Sequence, residues 1–165
     1  MTKQYRFCPY CGQPISTTKI NGYYRCSDAL CSFVHYDNPL PVVAAIVEHE
    51  GDIILGRNAA WPASWYGLIT GFLEKQESPE AGILREVEEE LGLTGEIREL
   101  VGVYDFQKRN QLIVAYHVAA HGEIELGDEL ADIKRIQPEK LEPWPFGTGL
   151  AVKDWLHKRG IKSIN

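Results

Sequence analysis

The stretch Gly71-Phe72-Leu73-Glu74-Lys75-Gln76-Glu77-Ser78-Pro79-Glu80-Ala81-Gly82-Ile83-Leu84-Arg85-Glu86-Val87-Glu88-Glu89-Glu90-Leu91-Gly92-Leu93 decides what this chain can be. Ser78 has the side chain of a helix N-cap, Pro79 suits a first helical position, and Gly92 suits a C-terminal stop, so a helix is predicted from Pro79 to Leu91. Take Glu86 as the origin of a helical wheel. Ile83, Val87, Leu91 and Leu84 then fall at about 60°, 100°, 140° and 160°, a single apolar stripe. Glu89 and Glu90 fall at about −60° and +40°, on either side of Glu86, and Gly82 at about −40° shares their face. The absence of a side chain at Gly82 is read as room for a ligand.

Carboxylates at i, i+3 and i+4 repel one another. Taken alone, such a run reads as a solvated acidic face. Here it follows a glycine turn and an upstream acid, Glu77, and a glycine lies on the same face. Hard oxygen donors gathered in this way suit Mg²⁺ or Mn²⁺.

Outward from this helix, the pattern is one of alternating strands and helices. Val42 to Val47 is uniformly apolar and reads as a buried strand; His49-Glu50-Gly51-Asp52 turns it, and Ile53 to Gly56 returns as a hairpin partner. Gly67 to Phe72 reads as a short strand entering the glycine turn. Ile97 to Phe106, Gln111 to Val118 and Ile133 to Ile136 are further strand candidates, and a second helix fits Gly149 to Lys158. This mixed order predicts an α/β fold with helices on both sides of a sheet.

A length of 165 residues suggests one main domain with a small appendage. Hydrophobic and charged contents of 44% and 24% are those of a soluble globular protein. No apolar run is long enough to span a bilayer, and the polar start, Met1-Thr2-Lys3-Gln4-Tyr5-Arg6, is no signal peptide, so the cytoplasm is the expected compartment. Of the net charge of −6, residues 1–37 carry +2, from Lys3, Arg6, Lys19 and Arg25 against Asp28 and Asp37, leaving −8 for the rest. An acidic body is a poor general nucleic-acid binder. If its substrate is a phosphate compound, metal ions must supply much of the positive charge.

All four cysteines, Cys8, Cys11, Cys26 and Cys31, lie in the first 31 residues. Their spacing, with the knuckle Cys8-Pro9-Tyr10-Cys11-Gly12, points to a tetrahedral zinc site of structural type; two disulfides in an oxidising compartment is the competing reading. The second pair is spaced by four residues instead of the commoner two, and His35 is the nearby substitute ligand. Residues 1–37 are therefore read as a zinc ribbon too small to hold a core without its metal, and residues 38–165 as the main domain, joined through Tyr36-Asp37-Asn38-Pro39-Leu40-Pro41.

The string from Gly71 to Leu93 matches the Nudix box, G-x5-E-x7-R-E-U-x-E-E-x-G-U with U aliphatic, at every fixed position. The chain thus resembles the Nudix hydrolases. The resemblance implies an α/β/α sandwich with a mixed sheet, covering about residues 38–165 and preceded by the ribbon. It implies hydrolysis of a nucleoside diphosphate linked to another moiety, with Mg²⁺ or Mn²⁺ as cofactor. By the same resemblance Glu86, Glu89 and Glu90 are metal ligands, with Glu86 the first candidate to deprotonate the attacking water. Gly71 offers its backbone carbonyl to a metal, and Glu77 pairs with Arg85. An acid from the later loop Asp128-Glu129-Leu130-Ala131-Asp132 completes the metal site, with Glu129 preferred and Asp128 or Asp132 next. A homodimer is expected on the same ground.

Ribbon and box together resemble NADH pyrophosphatases and relatives acting on FAD or ADP-ribose. NADH pyrophosphatases carry an S-Q-P-W-P-F-P-x-S tag after the box; the corresponding Val103-Tyr104-Asp105-Phe106-Gln107-Lys108-Arg109 lacks it, and Pro143-Trp144-Pro145-Phe146 comes too late and reads as a chance likeness or a packing element. The expected reaction is therefore cleavage of an FAD or ADP-ribose type of diphosphate into two monophosphates. NADH or NAD-capped RNA hydrolysis is the alternative, and a non-catalytic nucleotide sensor the competing class. Capped RNA is the one nucleic-acid substrate this leaves open. Trp61, Trp65, Tyr66, Phe33 and Tyr36 are candidates for stacking on a base, though core or interface packing is the commoner role of each, and Arg57, Lys108 and Arg109 are candidates for phosphate contact, with solvated surface as the competing reading.

Overall fold

A computed structural model describes residues 5–161; Met1–Gln4, which supply most of the polar start, and residues 162–165 lie outside them. The chain divides into two compact units, Met1–Pro39 and Leu40–Asn165.

In the first unit, β1 (Tyr24–Arg25) pairs antiparallel with β2 (Val34–His35). Isolated bridges join Phe7 to Pro14 and Ile15 to Cys26. Cys8 and Ile15 are its buried apolar residues. So small an interior cannot offset the entropy of ordering this unit by itself.

The second unit is built on β3 (Leu40–His49), β4 (Asp52–Asn58), β5 (Ile69–Phe72), β6 (Thr94–Phe106), β7 (Gln111–His121) and β8 (Leu130–Ile136). The sheet runs β6-β7-β3-β4-β8, with β5 also pairing β3. It is mixed: β3 and β7 are parallel, and every other pairing is antiparallel. Successive side chains along a strand point to opposite faces. Val43, Ala45 and Val47 therefore pack on α1 (Pro79–Leu91), through Ile83, Val87 and Leu91. Val42, Ala44 and Ile46 pack on α2 (Gly149–Lys158), through Ala151, Val152, Trp155 and Leu156. A strand covered on both faces must be apolar throughout, which accounts for the unbroken run at Val42–Val47.

Ser78 caps α1 by accepting the Ala81 N–H at 3.2 Å, Pro79 follows, and Gly92 ends the helix in the left-handed conformation (φ 68°). β3 is shared lengthwise: its first half pairs with β5 and its last three residues with β4. β4 and β5 diverge from that point, and an isolated bridge joins Gly56 of β4 to Gly67, just before β5. The divergence leaves a small cleft lined by Asn58, Trp61, Thr70, Glu90, Glu129 and Leu130. The segment Pro143–Phe146 is a packing element: Trp144 packs on the α2-side core and Phe146 stacks on Phe106, with ring centroids 6.3 Å apart.

Candidate active site and thiolate cluster

The glycine turn and α1 meet through one guanidinium. Arg85 donates from Nε and Nη2 to the two oxygens of Glu77, at 3.2 and 2.9 Å, and from Nη2 to the Phe72 carbonyl at 3.3 Å. Its Nη1 donates to Glu86 Oε1 at 2.8 Å and to Glu89 Oε2 at 2.9 Å. Three carboxylates thus hold Arg85 firmly in its charged form, Glu77 most strongly. Glu77 in turn accepts the Glu74 N–H at 2.6 Å, which closes the loop onto the helix. Its carboxyl sits below the usual range, chiefly because of Arg85.

Gly82 serves a different purpose from the one its position on the wheel suggests. A β-carbon there would lie 2.9 Å from Glu77 Oε1 and 3.1 Å from Leu73 Cδ1. The space over Gly82 belongs to the protein's own Glu77, not to a ligand. Gly71 does serve the acidic face, because the position of its missing β-carbon is filled by the Glu86 carboxylate.

Among the described residues, no such cation stands beside Glu90. At about +40° on the wheel it borders the apolar stripe, and it is 8% exposed. Burial, then the negative charges of Glu86, Glu129 and Glu89, push its carboxyl up to about 8. Burial also raises the Glu86 carboxyl, against the pull of Arg85. The final turn of α1 carries no basic residue, so the helix dipole opposes these acids as well. Like charges gathered in this way repel one another unless positive charge is brought to them.

The fourth acid, Glu129, arrives from the segment between β7 and β8. It acts electrostatically on both Glu86 and Glu90 and lines the same cleft as Glu90. Its backbone carbonyl accepts the Ala59 N–H at 2.9 Å. Asp132 is directed elsewhere: it accepts a 2.5 Å hydrogen bond from the Tyr66 hydroxyl, which holds its carboxyl low. Asp128 is exposed, as is Glu129, but does not line the cleft.

The candidates for base and phosphate contact scatter. Phe33 packs on Tyr10 and Tyr5, and Tyr36 on Tyr23, all within the first unit. Trp61 lines the cleft and covers Gly67, whose β-carbon would lie 3.4 Å from its ring. Trp65 is exposed. Arg57 acts on Tyr66 and Asp132, with its buried Nε lacking a hydrogen-bond partner. Lys108 and Arg109 sit exposed on a 3₁₀ turn after β6. Asn58, Thr70 and the Ala59 N–H belong to the site's surroundings yet escaped the sequence reading, since nothing in their spacing marks them.

In the first unit the sulfur atoms of Cys8, Cys11, Cys26 and Cys31 all lie within 4.8 Å of one another. Cys8 and Cys31 are 3.7 Å apart, and Cys11 and Cys26 3.5 Å. Four thiolates about 2.3 Å from a tetrahedral zinc would stand roughly 3.8 Å apart, so the set fits that ion. All four cysteines are free thiols, which removes the disulfide reading. His35 is outside the cluster and faces Asp37 at 3.9 Å.

The NUDIX domain family model matches residues 38–154. The NAD-capped RNA hydrolase NudC of Pseudomonas putida is 28% identical over 151 residues, which is 90% of this chain and 54% of that protein. The chain thus spans about half the length of the curated relatives it matches. A NUDIX hydrolase structure from Nitrosomonas europaea superposes with a TM-score of 0.78 at 24% identity, covering 98% of this chain and 97% of that one. An ADP-ribose pyrophosphatase structure from Streptococcus suis gives 0.61 at 20% identity, over 74% and 92%. The last two likenesses bear on the fold alone.

Proposed function

The chain belongs to the Nudix family, and we propose from this that it hydrolyses the diphosphate of an NAD-type dinucleotide, as free NADH or as the 5′ cap of an RNA, into two monophosphate ends. The observation that carries the reading is the convergence of Glu86, Glu89 and Glu129 on a buried Glu90 that has no cation partner among the described residues. The carboxylate donor set suits Mg²⁺ or Mn²⁺. Bound there, such ions supply neutralisation of the diphosphate and a bound water of lowered pKa.

The residues have separable tasks in this reading. Glu86, Glu89, Glu90 and Glu129 hold the metal ions, with the Gly71 carbonyl as a further donor. Arg85 engages Glu86 through Oε1, leaving Oε2 to face a ligand or accept a proton from the attacking water. Arg85 and Glu77 set the orientation of Glu86 and Glu89 without touching substrate. Cys8, Cys11, Cys26 and Cys31 hold a structural zinc, since a site closed by four thiolates offers no open position for catalysis. A cytoplasmic homodimer completes the proposal.

The NudC relatives shift the preference from FAD or ADP-ribose towards NAD-type substrates. One observation keeps FAD or ADP-ribose as a second reading. Val103–Arg109 lacks the nicotinamide-enzyme tag, and its aromatic residues are engaged within the protein: the Tyr104 hydroxyl donates to Asp154 at 2.9 Å and Phe106 stacks on Phe146. The test is incubation with NADH, NAD-capped RNA, FAD and ADP-ribose under Mg²⁺ and Mn²⁺, with products identified by mass. Fastest turnover of NADH or capped RNA is expected. Preference for FAD or ADP-ribose selects the second reading, and binding without turnover of any would restore the sensor class.

A further inference from the structure

Glu129 lies 39 residues beyond Glu90, and something other than sequence proximity must set its distance from α1. The segment leading to it is laid directly on the end of the helix. The Glu125 N–H donates to the Leu91 carbonyl at 2.9 Å, and the Gly127 N–H donates to the carbonyl of Glu90 itself at 3.0 Å. Both carbonyls are ones that a helix end leaves without an intrahelical partner. The approach is closer than a side chain would permit. A β-carbon on Gly127 would clash with the Glu89 carbonyl oxygen and come within 3.4 Å of the Glu90 Cα. From the other side, a β-carbon on Gly92 would lie 3.1 Å from the Glu125 Cβ and 3.3 Å from its backbone. Two glycines therefore face one another's segments. Beyond Gly127 the chain is pinned again, by Leu130 N–H to Gly127 O at 3.2 Å and by Ala59 N–H to Glu129 O.

We infer that Gly127 is a positioning residue for the metal site: its backbone contact with Glu89 and Glu90 sets how far Glu129 stands from the helix acids. The obstacle to a β-carbon is helix backbone, which cannot rotate aside as a side chain tip can. A methyl at Gly127 must move the strap, and Glu129 moves with it. Errors of about 1 Å in such a site are costly. The inference rests on the reading that Glu129 ligates the metal, so the experiment tests the two separately.

The experiment measures Mn²⁺ affinity by the free-ion EPR signal, with no substrate present, for the wild type, Glu129→Gln, Gly127→Ala and the double variant. Far-UV circular dichroism and zinc content establish that each is folded. Mn²⁺ binding by the wild type, weakened about tenfold or more in Glu129→Gln, supports the underlying reading; equal affinity in those two proteins removes it, whatever Gly127 does. Given that reading, Gly127→Ala is expected to weaken Mn²⁺ binding about tenfold, and the double variant to lose little beyond Glu129→Gln. In turnover, the Mn²⁺ concentration for half activation should rise while KM at saturating Mn²⁺ stays within about twofold. Wild-type affinity in a folded Gly127→Ala overturns the inference, and so do fully additive losses in the double variant. Should Gly127→Ala fail to fold, Gly92→Ala presses on the same strap from the helix side, where its β-carbon would lie 3.1 Å from the Glu125 Cβ. It is then expected to show the same loss, non-additive with Glu129→Gln, and unchanged affinity there counts against the inference.

Discussion

The carboxylate of Glu86 occupies the space that a β-carbon on Gly71 would fill. The glycine turn and the helix face are thus one surface, and the first residue of the Nudix box is defined sterically by a residue fifteen positions later. Gly71→Ala should displace Glu86 and break its 2.8 Å contact with Arg85. We expect kcat to fall about 100-fold or more, the penalty typical of misplacing a catalytic group by about 1 Å. Steady-state kinetics on protein shown to be folded would check this.

Arg85 serves Glu77, Glu86 and Glu89 at once through a planar fork that lysine cannot reproduce. Arg85→Lys keeps the charge but loses most of these hydrogen bonds. A fall in kcat of roughly 10- to 100-fold, with KM changed far less, is expected from the loss of orientation. Equal kinetics for wild type and Arg85→Lys would show that charge alone suffices.

Glu90 gives the metal-free protein a particular pH dependence. Its carboxyl titrates near 4.5 when unfolded and at about 8 when folded, so the folded state binds the extra proton. Stability contributed by this group is full below the unfolded value and declines as pH rises from 4.5 towards 8. Glu90→Gln should flatten that decline in the metal-free protein. Mn²⁺ should raise Tm more at pH 8 than at pH 6, with protons released on binding at the lower pH. Differential scanning fluorimetry and calorimetry in two buffers would measure both.

His117, outside the active site, holds the α2 face. It is 3% exposed, donates from Nε2 to Glu48 Oε2 at 2.9 Å and accepts at Nδ1 from Arg159 Nη2 at 3.1 Å, an arrangement that fits the neutral ring. Burial depresses its pKa below 6.5, partly offset by Glu48. Its contribution to stability is therefore present above 6.5 and is lost as pH falls through the folded value. Arg159→Met removes the donor to Nδ1 and should cost about 1–3 kcal/mol, seen as a lower denaturation midpoint with unchanged slope.

With zinc held by the four cysteines as proposed, the two units should respond differently to its removal. A strong chelator, or Cys11→Ser, is expected to remove the metal, about one per chain, and to unfold the first unit. The second unit has its own two-sided core and should keep its transition. Two separate thermal transitions before treatment, and one after, would be the calorimetric result.

Much of this was legible in sequence because it is local. The caps Ser78 and Gly92, the strand at Val42–Val47 and the cysteine spacing each follow from rules spanning a few residues. Most strands proved longer than the apolar runs implied: β6 begins at Thr94 and β8 at Leu130, since hydrogen-bonding partners extend a strand past its hydrophobic centre, whereas β5, expected from Gly67, begins at Ile69. Gly82 was misread because a wheel reports which face a residue occupies, not what comes down on it.

The sequence by itself determined the family, the helix, the face that Glu86, Glu89 and Glu90 share, and the four thiols. These depend on helical period and on spacing, which a chain carries wherever it folds. Only the tertiary structure decided that Glu77 fills the gap over Gly82, that Glu90 is buried while Glu89 stays in solvent, and that Asp132 turns to Tyr66 while Glu129 lines the cleft with Glu90. Such outcomes depend on backbone contacts between segments far apart in the chain, such as Gly127 on Glu89 and Glu90, and a contact of that kind leaves no periodicity to read.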